Sequence, residues 1–149
     1  MSIFNDPTTK NDVISWSVSI PRLRKWPRRR SIRSEIKFKV QNLSESILHI
    51  EIRLRSPTRM LIFRSKITRK IGRNRITETS EAYEETIEKD INPLDETTFI
   101  FPFHYRPHLA PLRTTDIPLK YLINGFNKED KQITSSGVQN LVILIETST

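Results

Sequence analysis

The chain has 149 residues, no cysteine, and a formal net charge of +8 from 25 lysines and arginines against 17 acidic residues. Its length suits one domain with a single core, and 36% hydrophobic with 28% charged residues is too apolar for a disordered chain. Disulfides, thiol chemistry and cysteine-type zinc sites are excluded, and with no run near the ~18 apolar residues of a membrane span and no secretory pattern in residues 1–10, the expected setting is intracellular and cytoplasmic.

Residues 1–11 read as an N-terminal tail and 12–149 as one domain. Ile14, Trp16, Val18 and Ile20 alternate with Ser15, Ser17 and Ser19, the period-two pattern of a half-buried strand. Ile36, Phe38 and Val40 alternate with Glu35, Lys37, Lys39 and Gln41. After the turn-forming stretch Asn42 to Ser46, Leu48, Ile50, Ile52 and Leu54 alternate with His49, Glu51, Arg53 and Arg55, so the two runs predict a hairpin. Asn42-Leu43-Ser44 has the form of a glycosylation acceptor but carries no weight in a cytoplasmic setting.

Met60 to Ile67 is apolar and β-branched enough for a strand, preceded by Ser56-Pro57 and followed by a basic run that blurs its end. Tyr83 to Ile91 is acidic enough for a helix, although Thr86, Ile87 and Ile91 lean towards strand. Asn92-Pro93-Leu94-Asp95 is a turn signal. Beyond it Phe99, Phe101, Phe103 and Tyr105 alternate with Thr98, Ile100, Pro102 and His104, which puts four aromatics on one strand face, worth about 1.5–3 kcal/mol each when buried. Pro107 to Pro118 predicts an irregular crossover, Ile117 to Phe126 a strand, and Asn127 to Lys131 a turn. The last strand, Leu141 to Ile145, is nearly continuously apolar, as a strand covered on both faces would be.

About seven to nine short strands, few glycines and no sustained helical period predict an all-β fold, a two-sheet antiparallel β-sandwich of immunoglobulin-like type. The strand Glu35 to Ser46 with its polar turn, Asn92-Pro93-Leu94-Asp95 before Phe99 to Tyr105, and the late strand Ile117-Pro118-Leu119-Lys120-Tyr121-Leu122-Ile123 carry a resemblance. In strand order over residues 12 to 145 the chain resembles the immunoglobulin-like accessory sandwiches of arrestin-like proteins and adaptor appendage domains. That resemblance implies a scaffold for binding, and it transfers no binding residue to a numbered position. The immunoglobulin cysteine pair is absent, which argues against an antibody-type domain.

Charge is segregated along the chain. From Ile20 to Val40 nine basic residues face Glu35 alone, from Arg53 to Arg75 nine more face no acid, and from Glu78 to Glu96 eight acids face Lys89 alone. Basic side chains on the solvent face of strands form positive strips, and fifteen arginines to ten lysines suit bidentate recognition of anionic groups. The sharpest candidate contact with a polyanion or a partner is Arg22, Arg24, Lys25, Trp26, Arg28, Arg29, Arg30 and Arg33, with the Trp26 ring able to stack on a base or settle at a lipid interface. Set against this, Trp26 packs under a loop and basic segments neutralise the acidic one, for instance with Glu84, Glu85 and Glu88 beside Arg64, Lys66 or Arg69.

Catalytic chemistry finds no foothold. His104 and His108 are four apart, but on a strand running into Pro107 that spacing has no metal-binding geometry, and His49 reads as a surface strand residue. Gly72, Gly125 and Gly137 make no phosphate loop, and Glu84 and Glu85 point to opposite strand faces. The expectation is a protein that is not an enzyme, with no cofactor, no metal and no small-molecule substrate. Two functions fit: an interaction or scaffold module binding a protein partner through a sheet face or edge, or a basic protein binding nucleic acid or an anionic membrane, such as a viral structural or movement-type protein. Acidic and basic segments on one chain also suit a homo-oligomer.

Overall fold

Alternating side chains need a second apolar surface to close against, and here two sheets supply it to each other. The computed structural model describes residues 3–5, 9–10, 13–25, 32–56, 61–105 and 116–147, and all regular structure among them is β. The strands are β1 (Ile3–Asn5), β2 (Thr9–Lys10), β3 (Ile14–Pro21), β4 (Leu23–Lys25), β5 (Ile32–Asn42), β6 (Leu48–Arg55) and β7 (Leu61–Ile71). They are followed by β8 (Asn74–Ala82), β9 (Glu84–Ile91), β10 (Glu96–Tyr105), β11 (Asp116–Phe126), β12 (Gln132–Ser135) and β13 (Gln139–Thr147). Nine of them, β3, β5 to β11 and β13, have eight or more residues.

One sheet runs β1-β3-β5-β10-β7-β8 with β2 beside β3, and the other runs β4-β13-β11-β6-β9 with β12 beside β11. The long strands β3-β5-β10-β7 facing β13-β11-β6 reproduce the A-B-E-D and G-F-C sheets of an immunoglobulin-like sandwich. The all-β, two-sheet expectation therefore holds. Among the described residues all pairs are antiparallel except β4 with β13, and the chain changes sheets between β3 and β4.

The core is the set of inward positions. Ile14, Trp16, Val18 and Ile20 are buried, as are Phe99, Phe101, Phe103 and Tyr105. Phe38 meets Phe101 within its own sheet edge to face at 5.5 Å, and Tyr121 of the opposite sheet at 5.1 Å. Trp16 Nε1 donates to the Tyr121 hydroxyl at 3.1 Å, which donates to Gln139 at 2.6 Å, so a polar chain also ties the sheets together. A buried tryptophan and tyrosine thus satisfy each other instead of leaving polar atoms unpaired.

Several local expectations are corrected. The predicted hairpin does not form: β5 pairs with β3 and β10, whereas β6 pairs with β11 and β9, so residues 43–47 carry the chain from one sheet to the other. Both strands alternate because each has one face on the shared core, and that pattern is the same for strands side by side and strands face to face. The segment read as a tail contributes β1 and β2, which pair with β3. Of the segment Tyr83 to Ile91, Glu84–Ile91 is strand, yet β9 lies beside β6 and not beside β7, so Glu84 pairs in register with Arg55, and the partners in register with Arg64 and Ile67 are Glu81 and Glu78 of β8. Within β13 only alternate residues are buried, and Val142 and Leu144 are 46% and 36% exposed, so this strand is covered on one face. Met60 and residues 107–115 of the expected crossover lie outside the described residues.

Candidate interaction surfaces

The strands of the sandwich sort its connections into two ends. At one end lie the turns 43–47, 92–95 and 127–131, with Glu45, Asp95, Glu96, Glu129 and Asp130 against Lys128 and Lys131. At the other end β3 stops at Pro21, β5 starts at Ile32, β6 stops at Arg55 and β7 starts at Leu61. Of the predicted contact residues, Arg22 sits at this second end where the chain changes sheets, and Arg33 is exposed on the outer face of β5. Arg24 and Lys25 belong to β4, in register with Glu146 and Thr147. Trp26, Arg28, Arg29 and Arg30 lie outside the described residues, as does His108.

The positive strip expected along β5 is largely answered by acids on the same surface. Lys37 pairs with Glu35 at 3.2 Å and Lys39 with Glu96 at 3.5 Å. Lys89 donates to the Thr98 carbonyl at 2.8 Å with its ammonium over the Phe99 ring. Such exposed pairs stabilise little, but they lower the local field.

His49 sits at the acidic end on the outer face of β6. Its Nδ1 is 2.7 Å from Asp90 and its Nε2 is 3.6 Å from Glu88, both on β9, and the Phe126 ring of β11 tilts beside it. The hydrogen bond with Asp90 raises the His49 pKa above the ordinary 6.5, with partial burial opposing and the charges of Asp90 and Glu88 adding to the rise. Asp130 and Lys128 line the same depression. A histidine held more basic in the folded state stabilises it fully below pH 6.5, and that contribution fades as pH rises through the folded value. The gap in urea midpoint between wild type and His49→Gln is therefore expected to be widest below pH 6.5 and to narrow as pH rises above it; a gap that stays constant or grows with pH would contradict a stabilising contact of His49 with Asp90. Among the described residues no group of three His, Cys, Asp or Glu side chains is arranged to hold a metal ion.

A surface the sequence reading missed runs along β13. Its residues 139–144 pair with β11 on one side, while β4 pairs with its other side only from Ile145 to Thr147. Among the described residues no strand pairs with that other side between Gln139 and Leu144. The open lane is about 20 Å long at ~3.3 Å per residue. Beside it lies a groove of about 300 Å³ lined by Ile20 and Pro21 of β3, Arg22, and Leu141, Val142 and Leu144 of β13. Val142, Leu144 and Pro118 give this end of the second sheet an exposed apolar patch. The available signal was the unbroken apolar run Leu141 to Ile145, which reads equally as double burial and as an exposed apolar edge.

No protein-family model matches the sequence, and no curated protein matches it. Among solved structures the chain is similar to a FixG-related protein from Vibrio parahaemolyticus, at 10% identity over 91% of this chain and 98% of that one, with a TM-score of 0.49. It is also similar to AvmM, which catalyses macrocyclization in alchivemycin A biosynthesis, at 7% identity over 93% and 92% with a TM-score of 0.45. A third likeness is to PapD-like domain 7 of human CEP192, at 9% identity over 97% and 91% with a TM-score of 0.38. Likenesses of this strength carry no statement about activity.

Proposed function

We propose that this chain is a non-enzymatic interaction module that takes an extended segment of a protein partner by strand addition along the open side of β13. The observation that supports it is the unpaired lane beside residues 139–144 together with the apolar groove next to it. Unpaired backbone groups on an edge are a template for another strand, whose inward side chains would find Ile20 and Leu141 and whose outward ones Val142 and Leu144. The β9 edge is blunted: it exposes Glu84, Thr86, Glu88, Lys89 and Asp90, the charge pattern that discourages pairing. On this reading the chain serves as the accessory sandwiches of arrestin-like and adaptor-appendage proteins do, as a scaffold for binding.

The test is selection of displayed random octapeptides on the wild-type chain, with Val142→Asp/Leu144→Asp as the counter-selecting surface. Enriched peptides are expected to alternate apolar residues and to slow amide exchange at Asn140 to Leu144. Enrichment indifferent to the two substitutions, or protection elsewhere, would reject the reading. Light scattering of the free chain separates the other occupant, since a dimer lost in the same variant would mean that a second copy fills the lane.

A second reading is contact of the basic end with a polyanion. It is favoured by the gathering of Arg22, Arg33 and Arg55 at the end where β4 stops and β5 starts, with most turn acids at the opposite end. Retention on heparin is expected to fall with rising salt and to drop in Arg28→Ser/Arg29→Ser/Arg30→Ser. Equal retention of that variant would remove the cluster from the reading.

A further inference from the structure

Among the described side chains of the second sheet, one basic pair is left without an acid. Across its outer face one row of register partners runs Asn140, Lys120, Arg55, Glu84. Lys120 and Arg55 stand directly opposite each other on neighbouring strands, where like charges repel. An acid within reach would relieve them, but Glu84 is engaged by Arg53 Nε at 3.4 Å, and Glu51 by Arg53 Nη2 at 3.4 Å. Arg53 thus uses both nearby carboxylates, and among the described residues neither Arg55 nor Lys120 has an ion-pair partner. This couple adjoins the apolar residues of the β13 lane, since Lys120 pairs with Asn140 and its neighbour Pro118 with Val142.

We infer that the segment taken by β13 is an acidic one, with aspartate or glutamate side chains alternating with apolar residues. The inference rests on the strand-addition reading and names the chemistry of its occupant. A strand in the open lane lies two strand spacings from β11, about 10 Å. That is within the joint reach of a lysine and a glutamate side chain. An acid opposite Asn140 therefore meets Lys120, with Arg55 behind it deepening the positive potential. At the other end of the lane Arg22 lines the groove. The Lys120 end favours negative charge, and the apolar residues Val142 and Leu144 lie beyond it along the lane.

Three labelled octapeptides test this by fluorescence polarisation: valine alternating with glutamate, with threonine, and with lysine. The glutamate peptide is expected to bind the wild-type chain at least about tenfold more tightly than the lysine peptide, and to weaken as salt rises. In the charge-reversed Arg55→Glu/Lys120→Glu variant the order is expected to invert, with the lysine peptide now preferred. That inversion also shows that the variant is folded and its lane intact. If all three peptides bind alike and protect β13 amides equally, the acidic assignment falls while strand addition stands. If none protects β13, strand addition falls and this inference with it. An oligonucleotide of thymidines that binds through Arg55 and Lys120 where the glutamate peptide does not would assign the surface to nucleic acid and overturn the inference.

Discussion

Replacing Asn42 with alanine is expected to destabilise the fold by about 2–4 kcal/mol, a loss of about 1–2 M in urea midpoint. Asn42 is fully buried at the acidic end of β5, where the chain leaves one sheet for the other. Its Nδ2 donates to the Ser46 carbonyl at 2.8 Å and to the Ile91 carbonyl at 3.0 Å, and its Oδ1 accepts from the Ser44 amide at 2.9 Å and the Ser44 hydroxyl at 2.7 Å. One side chain therefore holds the crossing 43–47 in shape and ties it to the end of β9. Alanine leaves the Ile91 carbonyl buried without this donor and releases the crossing at once, which is why the cost exceeds that of a single hydrogen bond. Ser44→Ala, which leaves both carbonyl bonds in place, is expected to cost about 1 kcal/mol or less. Equal losses in the two variants would mean that the local turn, and not the tie to β9, is what Asn42 supplies.

That crossing shows where sequence reasoning reaches its limit. Alternation is local physics: each strand has one face on the core, so Ile14 to Ile20, Ile36 to Val40, Leu48 to Leu54 and Phe99 to Tyr105 announce their buried sides without knowledge of any neighbour. Pairing is non-local. Residues 36–54 look like a hairpin because two alternating runs flank a polar turn, and only the cross-sheet hydrogen bonds of Asn42 and the register of β6 with β11 reveal a sheet change. β8 escaped notice because Asn74 to Ala82 has Ile76 as its one large apolar residue, and its strand character comes from pairing with β7 across Gly72-Arg73. The candidate site divides in the same way. A charge excess near Arg22 and Arg33 is visible in composition, whereas the open lane of β13 depends on where β4 stops pairing, and the isolation of Lys120 and Arg55 depends on Arg53 taking both acids.

The second large effect is expected at Phe38, where alanine is predicted to cost about 3–5 kcal/mol. Phe38 is fully buried at the middle of β5, and its ring meets the opposite sheet edge to face at Tyr121, with Phe101 beside it. Truncation removes the apolar contact and leaves a cavity between strands whose backbones are held in register on both sides, so collapse into the space is resisted. Tyr121→Phe probes the same junction differently: it keeps the ring but strips the hydroxyl that accepts from Trp16 and donates to Gln139, at an expected cost of about 1–3 kcal/mol. If the sheets are joined through this cluster, Phe38→Ala and Tyr121→Ala are non-additive in a double-mutant cycle, by about 0.5–1.5 kcal/mol. Additive losses, or a Phe38→Ala cost below about 1 kcal/mol in urea unfolding, would mean the sheets are held at their ends instead. Asn42 would then be the stronger tie, and the open lane of β13 would rest on a looser frame than the packing implies.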